Sequence, residues 1–203
     1  MNLPITPEEA RRLYVDGDAA HGFDHVMRVY TLAERIGRAE GADMRVLLTA
    51  ALLHDLARGE PDHHLHSAEQ ARALLANEPK AFVDAVAHCI EAHRFRTGPE
   101  PQTLEAKILQ DADKLDAIGA VGIARVFAHA GHRGTALWAP LDEVATHPRP
   151  DGKEYTPVHE YWYKLRHLAD RLHTKTAQRI ARERHAFMVH FFAQFDLECR
   201  GVR

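Results

Sequence analysis

The stretch LLTAALLHD, residues 47–55, consists of a mostly apolar segment that is followed directly by two polar side chains, His54 and Asp55. Its Leu and Ala residues predict a helix buried in the core. A carboxylate beside an imidazole, as in His54 and Asp55, is costly to bury there unless another group compensates it. A divalent cation is a strong compensating group. The stretch therefore predicts a buried helix that carries a pair of metal ligands near its end.

Helical periodicity continues along nearly all of the chain, and no segment shows the strict alternation of a half-buried strand. The helix that opens at Asp43 carries His54 and should break near Gly59-Glu60-Pro61. The other helices are predicted to start near Thr6, Asp24, Ser67, Pro79, Thr103 and Gly119, followed by two long ones over about 158–172 and 174–198. These patterns predict an all-α fold.

Composition narrows the class of protein. The chain has 203 residues, enough for one substantial core, which predicts a single domain over residues 1–203. A net charge of -3 provides no global positive field to attract nucleic acid. No segment approaches the ~20 apolar residues that span a bilayer, so we expect a cytoplasmic protein without a membrane partner. Cys89 and Cys199 form no CxxC pair, which argues against a Cys-rich zinc site.

Two further candidate ligands lie in other predicted helices, His25 near the start of the second helix and Asp113 in the helix that follows Thr103. With His54 and Asp55 they form a set of two imidazoles and two carboxylates. This set suits Mn²⁺, Fe²⁺, Zn²⁺ or Mg²⁺ better than a soft metal. Four protein ligands with positions left for water are typical of a catalytic ion.

The order of His25, His54-Asp55 and Asp113 resembles the HD-domain superfamily of metal-dependent phosphohydrolases. A bacterial subfamily shares three phrases with this chain, the GxxHxxRV start at residues 22–29, DADKLDAIGAVGIAR at 111–125 and TAQRIARERHAFM at 176–188. The resemblance implies an HD-domain helical bundle with a metal site in its centre. Asp111 competes with Asp113 as the fourth ligand. Asp113 is preferred because a basic and then an apolar residue follow it, as in the HD pattern.

The resemblance also implies a reaction. We expect a phosphohydrolase of the nucleotidase or nucleotide pyrophosphohydrolase type, which cleaves a phosphoanhydride or phosphoester by a metal-activated water. Mn²⁺ is the favoured ion, with Mg²⁺, Fe²⁺, Co²⁺ or Zn²⁺ as alternatives. Asp55 would orient the water while it binds the ion, and Lys114 and Arg28 would bind substrate phosphate. Arg125 is a weaker candidate, expected instead to pair with an aspartate.

Two more histidines are implied by the same resemblance. His64 and His93 stand where some HD proteins have extra histidines, and either could donate a proton to the leaving oxygen or hold a second ion. His88 is a weaker candidate of the same kind, and the remaining histidines, His63 among them, are interpreted as surface or packing groups. Residues 131–157 are rich in proline and glycine and are interpreted as a loop-rich excursion near the active site.

Three other functions stay open. An HD-type di-iron oxygenase would need two further ligands. A non-catalytic nucleotide-binding sensor could keep the fold, but it has no need of four intact ligands. A helical protein that binds nucleic acid is disfavoured by the acidic charge balance. The expected partner is a small phosphorylated molecule.

Overall fold

The computed structural model describes residues 2–14 and 22–202, and every regular element in these two ranges is helical. The predicted all-α fold is therefore confirmed. None of the helices in these ranges is long and apolar enough to cross a membrane. The helices are α1 (Pro7–Arg11), α2 (Phe23–Glu40), α3 (Met44–Leu53), α4 (His63–Leu74), α5 (Lys80–Ala92), α6 (Leu104–Asp116), α7 (Gly119–Arg133), α8 (Leu141–Thr146), α9 (Pro157–Tyr163) and α10 (Lys175–Cys199), with 3₁₀ helices at Gly152–Glu154 and Leu165–Asp170.

The chain divides into two compact units. The first unit comprises Met1–Asp113 and His173–Ala177, and the second unit comprises Lys114–Leu172 and Gln178–Arg203.

Helix α3 is the centre of the first unit. Every residue from Val46 to Leu53 is buried, and α3 contacts α1, α2, α4 and α5. A helix that is apolar on all sides has to be covered on all sides, because each exposed face would leave apolar surface in water. The Asp43 carboxylate caps its start by accepting from the Arg45 and Val46 amides at 2.9 and 3.2 Å, as predicted.

Helix α2 packs closely on α3. Its buried stripe includes Val26, Val29, Ala33 and Ile36. Gly37 continues this face, and a Cβ there would lie 2.5 Å from Leu47 Cδ2. The missing side chain therefore sets the close approach of the two helices. The residue that precedes α2 is Gly22, without a side-chain cap, and the helix begins at Phe23, one residue before the predicted start near Asp24.

The second unit contains α7, α8 and α9, and an aromatic cluster ties α7 and α9 to α10. Phe192 stacks on Tyr161 at 4.1 Å between ring centroids, and Phe127 meets Phe195 edge to face at 5.3 Å. The predicted continuous helix over 158–172 is wrong. The backbone leaves helical geometry at Lys164, with φ -133° and ψ -62°, and a 3₁₀ helix follows.

Candidate metal centre

The His-Asp pair lies where α3 ends. The helix stops at Leu53, with His54 as its C-cap, so the predicted break near Gly59 comes several residues too late. The Ala57 amide donates to the Ser67 hydroxyl at 3.0 Å instead of continuing the helical ladder. Ser67 lies inside α4 and is not the helix cap predicted from the sequence. The pair therefore occupies a turn, where neighbouring side chains can face one point.

Three donor atoms, which we term the first donor group, come together beside this turn. They are His25 Nε2, His54 Nε2 and Asp55 Oδ2. The two imidazole nitrogens lie 3.4 Å apart, and Asp55 Oδ2 lies 3.6 Å from His25 Nε2 and 3.8 Å from His54 Nε2. Asp113 stands at the edge of the group, with Oδ1 3.5 Å from His25 Nε2. The structure thus brings all four predicted ligands to one place.

The other oxygen of Asp55 belongs to a second donor group. Asp55 Oδ1 lies 3.5 Å from His63 Nε2 and 3.7 Å from His93 Nε2. His63 opens α4 and His93 is the C-cap of α5. The sequence interpretation of His63 as a surface or packing group missed this position. The cluster of histidines at residues 63, 64 and 66 was the signal that could have found it.

Backbone carbonyls orient two of the imidazoles. His54 Nδ1 lies 2.9 Å from the Ala51 carbonyl, and His93 Nδ1 lies 2.6 Å from the Ile90 carbonyl. When Nδ1 carries the proton and donates it to the carbonyl, Nε2 keeps the lone pair that a metal needs. Burial lowers the pKa of His54, and burial lowers the pKa of His93 to about 4. Burial therefore favours the neutral form of both rings, which is the form that binds a metal.

Asp55 is an ionised carboxylate despite its burial. Burial by itself raises the pKa of Asp55, but His54 and Arg58 are the strongest of the neighbours that outweigh it and lower the pKa well below its usual range. The Arg58 guanidinium donates to Asp55 Oδ2 at 2.7 Å. The Arg58 side chain is 36% exposed, so this cation reaches the centre from the solvent side.

The residues present fit a divalent cation. Asp55 Oδ1 and His63 Nε2 are both buried and make no hydrogen bond within the described part of the chain. Buried polar atoms without a hydrogen-bond partner are rare, and the binding of an ion is one of the ordinary explanations for them. Donor atoms that share an ion at about 2.1 Å lie roughly 3 to 3.5 Å apart, close to the spacings in both donor groups. Carboxylate and imidazole donors without thiolates suit Mn²⁺, Fe²⁺, Zn²⁺ or Mg²⁺.

Known proteins resemble this chain in sequence and fold. Residues 22–118, which contain every member of both donor groups, match the HD domain family. The protein YpgQ of Bacillus subtilis is 36% identical over 197 residues, which cover 94% of this chain and 90% of YpgQ. The chain belongs to the HD-domain family. A crystal structure of YpgQ in complex with ADP superposes with a TM-score of 0.77 at 34% identity, covering 98% of this chain and 100% of that one.

A second similar structure is that of a hydrolase. An HD-superfamily hydrolase from Bacillus thuringiensis superposes with a TM-score of 0.73 at 28% identity, covering 96% of this chain and 94% of that one. The likeness to these HD proteins extends over the whole chain and is not limited to the stretch that carries the ligands. It places the chain among hydrolases, in agreement with the resemblance found from the motifs.

The structure distinguishes Asp111 from Asp113, the two aspartates of α6 that are candidates for the fourth ligand. Asp111 accepts hydrogen bonds from the His173 amide at 2.9 Å and from the Thr174 amide and hydroxyl, each at 2.8 Å. Both of its oxygens are occupied in this way, so it holds the segment before α10. Asp113 faces His25 instead. The geometry favours Asp113 as the fourth HD ligand.

The predicted phosphate-binding cations have protein partners. The Arg28 guanidinium donates to Asp24 at 2.5 Å, and the Lys114 ammonium donates to the Arg171 carbonyl at 2.6 Å. Their binding of phosphate stays a prediction. Arg125 donates to Asp116 at 2.7 Å, which confirms the expected pairing with an aspartate.

The proton-transfer candidates differ in their surroundings. His93 belongs to the second donor group. His64 is buried next to it, with ring centroids of His63 and His64 6.0 Å apart, and its Nδ1 has no hydrogen-bond partner within the described ranges. Burial and then the nearby Arg94 guanidinium lower the pKa of His64. Sequence reasoning missed both Arg58 and Arg94 as cations near the centre.

Proposed function

We propose that this protein is a metal-dependent phosphohydrolase that cleaves a phosphoanhydride or phosphoester of a nucleotide. The observation that carries the proposal is the position of Asp55, whose two oxygens belong to two different donor groups. Two donor groups that share one carboxylate can hold one or two hard cations close together. Such cations can act on a phosphate group of a substrate. Membership of the HD family, with hydrolases among its solved relatives, agrees with this chemistry.

The first donor group together with Asp113 would hold one ion, and the second donor group would hold another. Mn²⁺ is favoured, and Mg²⁺, Fe²⁺, Co²⁺ and Zn²⁺ match the same donors. A bound ion supplies Lewis acidity toward a phosphoryl oxygen and lowers the pKa of a water ligand.

The chain's own residues then have separate roles. Asp55 orients the ligands around it, because it contacts imidazoles on both sides. A pKa of about 4 leaves very little protonated His93 at pH 7, which favours His93 as a ligand over His93 as a proton donor. The proposed donor to the leaving oxygen is His64, because it lies beside the second donor group without being a member of it.

A nucleotide is the proposed substrate on two grounds. The relative YpgQ has been crystallised with ADP and is alike over nearly the whole length of this chain. In addition, Arg58 reaches the centre from solvent, and its contact with Asp55 can be exchanged for a phosphate oxygen. Lys114 and Arg28 are the other proposed phosphate ligands.

The test is direct. Metal-stripped protein is incubated with a panel of nucleotides and Mn²⁺, Mg²⁺, Co²⁺ or Zn²⁺, and the products are separated by chromatography. We expect metal-dependent release of orthophosphate or pyrophosphate from at least one nucleotide. Binding of nucleotide and metal without turnover of any substrate would contradict the proposal and indicate a sensor.

One observation favours a second candidate, a di-iron oxygenase. Such an enzyme needs ligands beyond the four of the HD motif, and His63 and His93 offer them. Iron bound at two equivalents after purification, with turnover that requires oxygen, would identify this function. Turnover of a nucleotide without oxygen would exclude it.

A further inference from the structure

A cavity of about 390 Å³, open to solvent on one side, lies within the second unit. It is separate from the residues of the metal centre, all of which belong to the first unit. Its volume is within the usual range of small-molecule sites, about 300 to 1,000 Å³. Its apolar lining is supplied by Leu141, Val189 and Ala193, and its polar lining includes Trp162, Arg166 and Asp170.

Tyr161 provides a polar group in the wall of this cavity. The residue is only 6% exposed, and its ring is held by the stack on Phe192. Its hydroxyl is not one of the buried polar atoms that lack a partner in the described part of the chain, so the small exposed part of the residue includes this hydroxyl. Burial raises the pKa of this hydroxyl and the Arg166 guanidinium opposes the rise, so the two groups are close enough to interact. A ligand that accepts a hydrogen bond would satisfy the phenol.

Arg166 offers a positioned cation. Its guanidinium lies 3.9 Å from the centroid of the Trp162 ring. Stacking on an aromatic face orients a guanidinium and leaves its N–H groups pointing outward. Within the described ranges no carboxylate lies in salt-bridge contact with Arg166. The N–H groups are therefore available to a carboxylate or phosphate of a ligand.

The rest of the lining defines what else such a ligand carries. Trp162 and Val189 present flat and apolar surface, which suits an aromatic ring. Asp170 lines the same cavity and accepts hydrogen bonds, which suits an amino group. His185, also in the lining, can bond to a polar substituent through either ring nitrogen.

We propose that this cavity is a second ligand site, which binds a planar aromatic ring that carries both an anionic group and an amino group. A nucleoside monophosphate such as AMP and an aromatic amino acid such as phenylalanine share this chemistry. Arg166 and the Tyr161 hydroxyl bind the anionic group, Asp170 binds the amino group, and Trp162 contacts the ring. The site does not depend on the function proposed for the metal centre.

The two tryptophans of the chain make the proposal testable in the intact protein. Trp162 lines the cavity, whereas Trp138 lies outside the lining and its indole N–H donates to Asp196 at 3.0 Å. In ¹H–¹⁵N NMR spectra, with signals assigned by Trp138→Phe, AMP, phenylalanine and inorganic phosphate are titrated separately. We expect AMP or phenylalanine to shift the Trp162 signal saturably while the Trp138 signal stays in place. Which of the two binds more tightly identifies the source of the ligand.

Variants of the cavity sharpen the test. Arg166→Met keeps an apolar stem over the indole and removes the charge, and it should weaken binding about tenfold or more. Val189→Asp changes an exposed side chain and should weaken binding by adding negative charge near the anion. The matched control is Arg182→Met, at an exposed position of α10 outside the lining, which should change affinity less than about twofold.

Three outcomes would overturn the proposal. The first is the absence of a saturable Trp162 shift with AMP and with phenylalanine up to about 10 mM. The second is equal affinity of the unmodified protein, Arg166→Met and Val189→Asp. The third is binding of inorganic phosphate as tightly as AMP, because the ring would then contribute nothing.

Discussion

Asp55 and Asp111 are both buried carboxylates of the first unit, but their surroundings are opposite. Asp111 receives two amides and a hydroxyl, so its oxygens are fully used in holding the chain before α10. Asp55 has one oxygen without a hydrogen bond in the described structure and is surrounded by imidazole nitrogens. The oxygens of Asp111 are therefore closed to a ligand, whereas Asp55 has an oxygen whose lone pairs are available to one.

The same contrast is present in the pKa values. Burial raises the pKa of Asp111 even though its hydrogen bonds act in the other direction. For Asp55, its neighbours, His54 and Arg58 first among them, outweigh burial and lower the pKa. A buried carboxylate that is already ionised beside imidazole nitrogens can bind a metal readily. Folding has already removed water from this carboxylate, so metal binding requires little further desolvation. The comparison predicts that Asp55 serves function and Asp111 serves stability.

The largest expected effect is loss of turnover on Asp55→Asn. We expect the rate of nucleotide hydrolysis to fall by about 10³-fold or more, because the shared carboxylate becomes a neutral amide with only one oxygen and cannot serve both donor groups. The free energy of unfolding of the metal-free protein should fall, because the lowered pKa means that the ionised carboxylate stabilises the folded chain at neutral pH, so turnover is compared at a temperature at which both proteins are folded. Assays with the substrate found in the nucleotide panel and thermal melts followed by circular dichroism measure the two quantities.

Asp84→Asn is the matched control for this variant. Asp84 is an exposed aspartate of α5 that pairs with Lys80 and Arg72. It should keep full turnover. More than a tenth of the original rate in Asp55→Asn would refute the role assigned to Asp55.

The next effect concerns the second donor group. His63→Ala should lower the bound metal from two equivalents to one, with the affinity for the second ion reduced at least about tenfold. Elemental analysis and Mn²⁺ titration measure this stoichiometry. His66→Ala, an exposed position one turn along the same helix, is the control. Two equivalents bound with equal affinity in His63→Ala would show that His63 is not a ligand.

A moderate effect on stability is expected for Asp111→Ala. The variant leaves the His173 and Thr174 amides without their acceptor, which should cost about 2 kcal/mol in the free energy of unfolding. For a chain of this length the melting temperature should fall by roughly 4 to 8 °C. Metal binding by the first donor group should persist at saturating Mn²⁺. Loss of the metal without loss of stability would make Asp111 the ligand in place of Asp113.

The sequence was sufficient for the buried helix and for the positions of the four candidate ligands. Helix α3 is apolar on all sides, so its place in the core follows from composition, and polar groups at its end then require a reason. The end of the helix could not be predicted, because it depends on the bond between Ala57 and Ser67 across a turn. Such a tertiary contact leaves no periodic signal.

His63 was missed for a related physical reason. A histidine in a polar run has the pattern of a surface residue, and only the packing of α4 against α5 brings its ring toward Asp55. The break at Lys164 was likewise not visible in the sequence. In the fold, the Tyr163 hydroxyl is held by the carbonyls of Val144 and His147, contacts that arise only once α8 lies beside α9.

The smallest expected effect concerns Cys89, a third buried titratable group that can be compared with Asp55 and Asp111. It lies one turn before His93 in α5, and burial raises the pKa of its thiol to about 12. Unlike Asp55, it has no cationic neighbour that favours the charged form, so it stays a neutral thiol and does not join the donor set. In native protein treated with iodoacetamide, mass spectrometry should find the exposed Cys199 modified and Cys89 unmodified until the chain is unfolded. Rapid alkylation of native Cys89 would mean that burial alone does not decide which of these groups is charged.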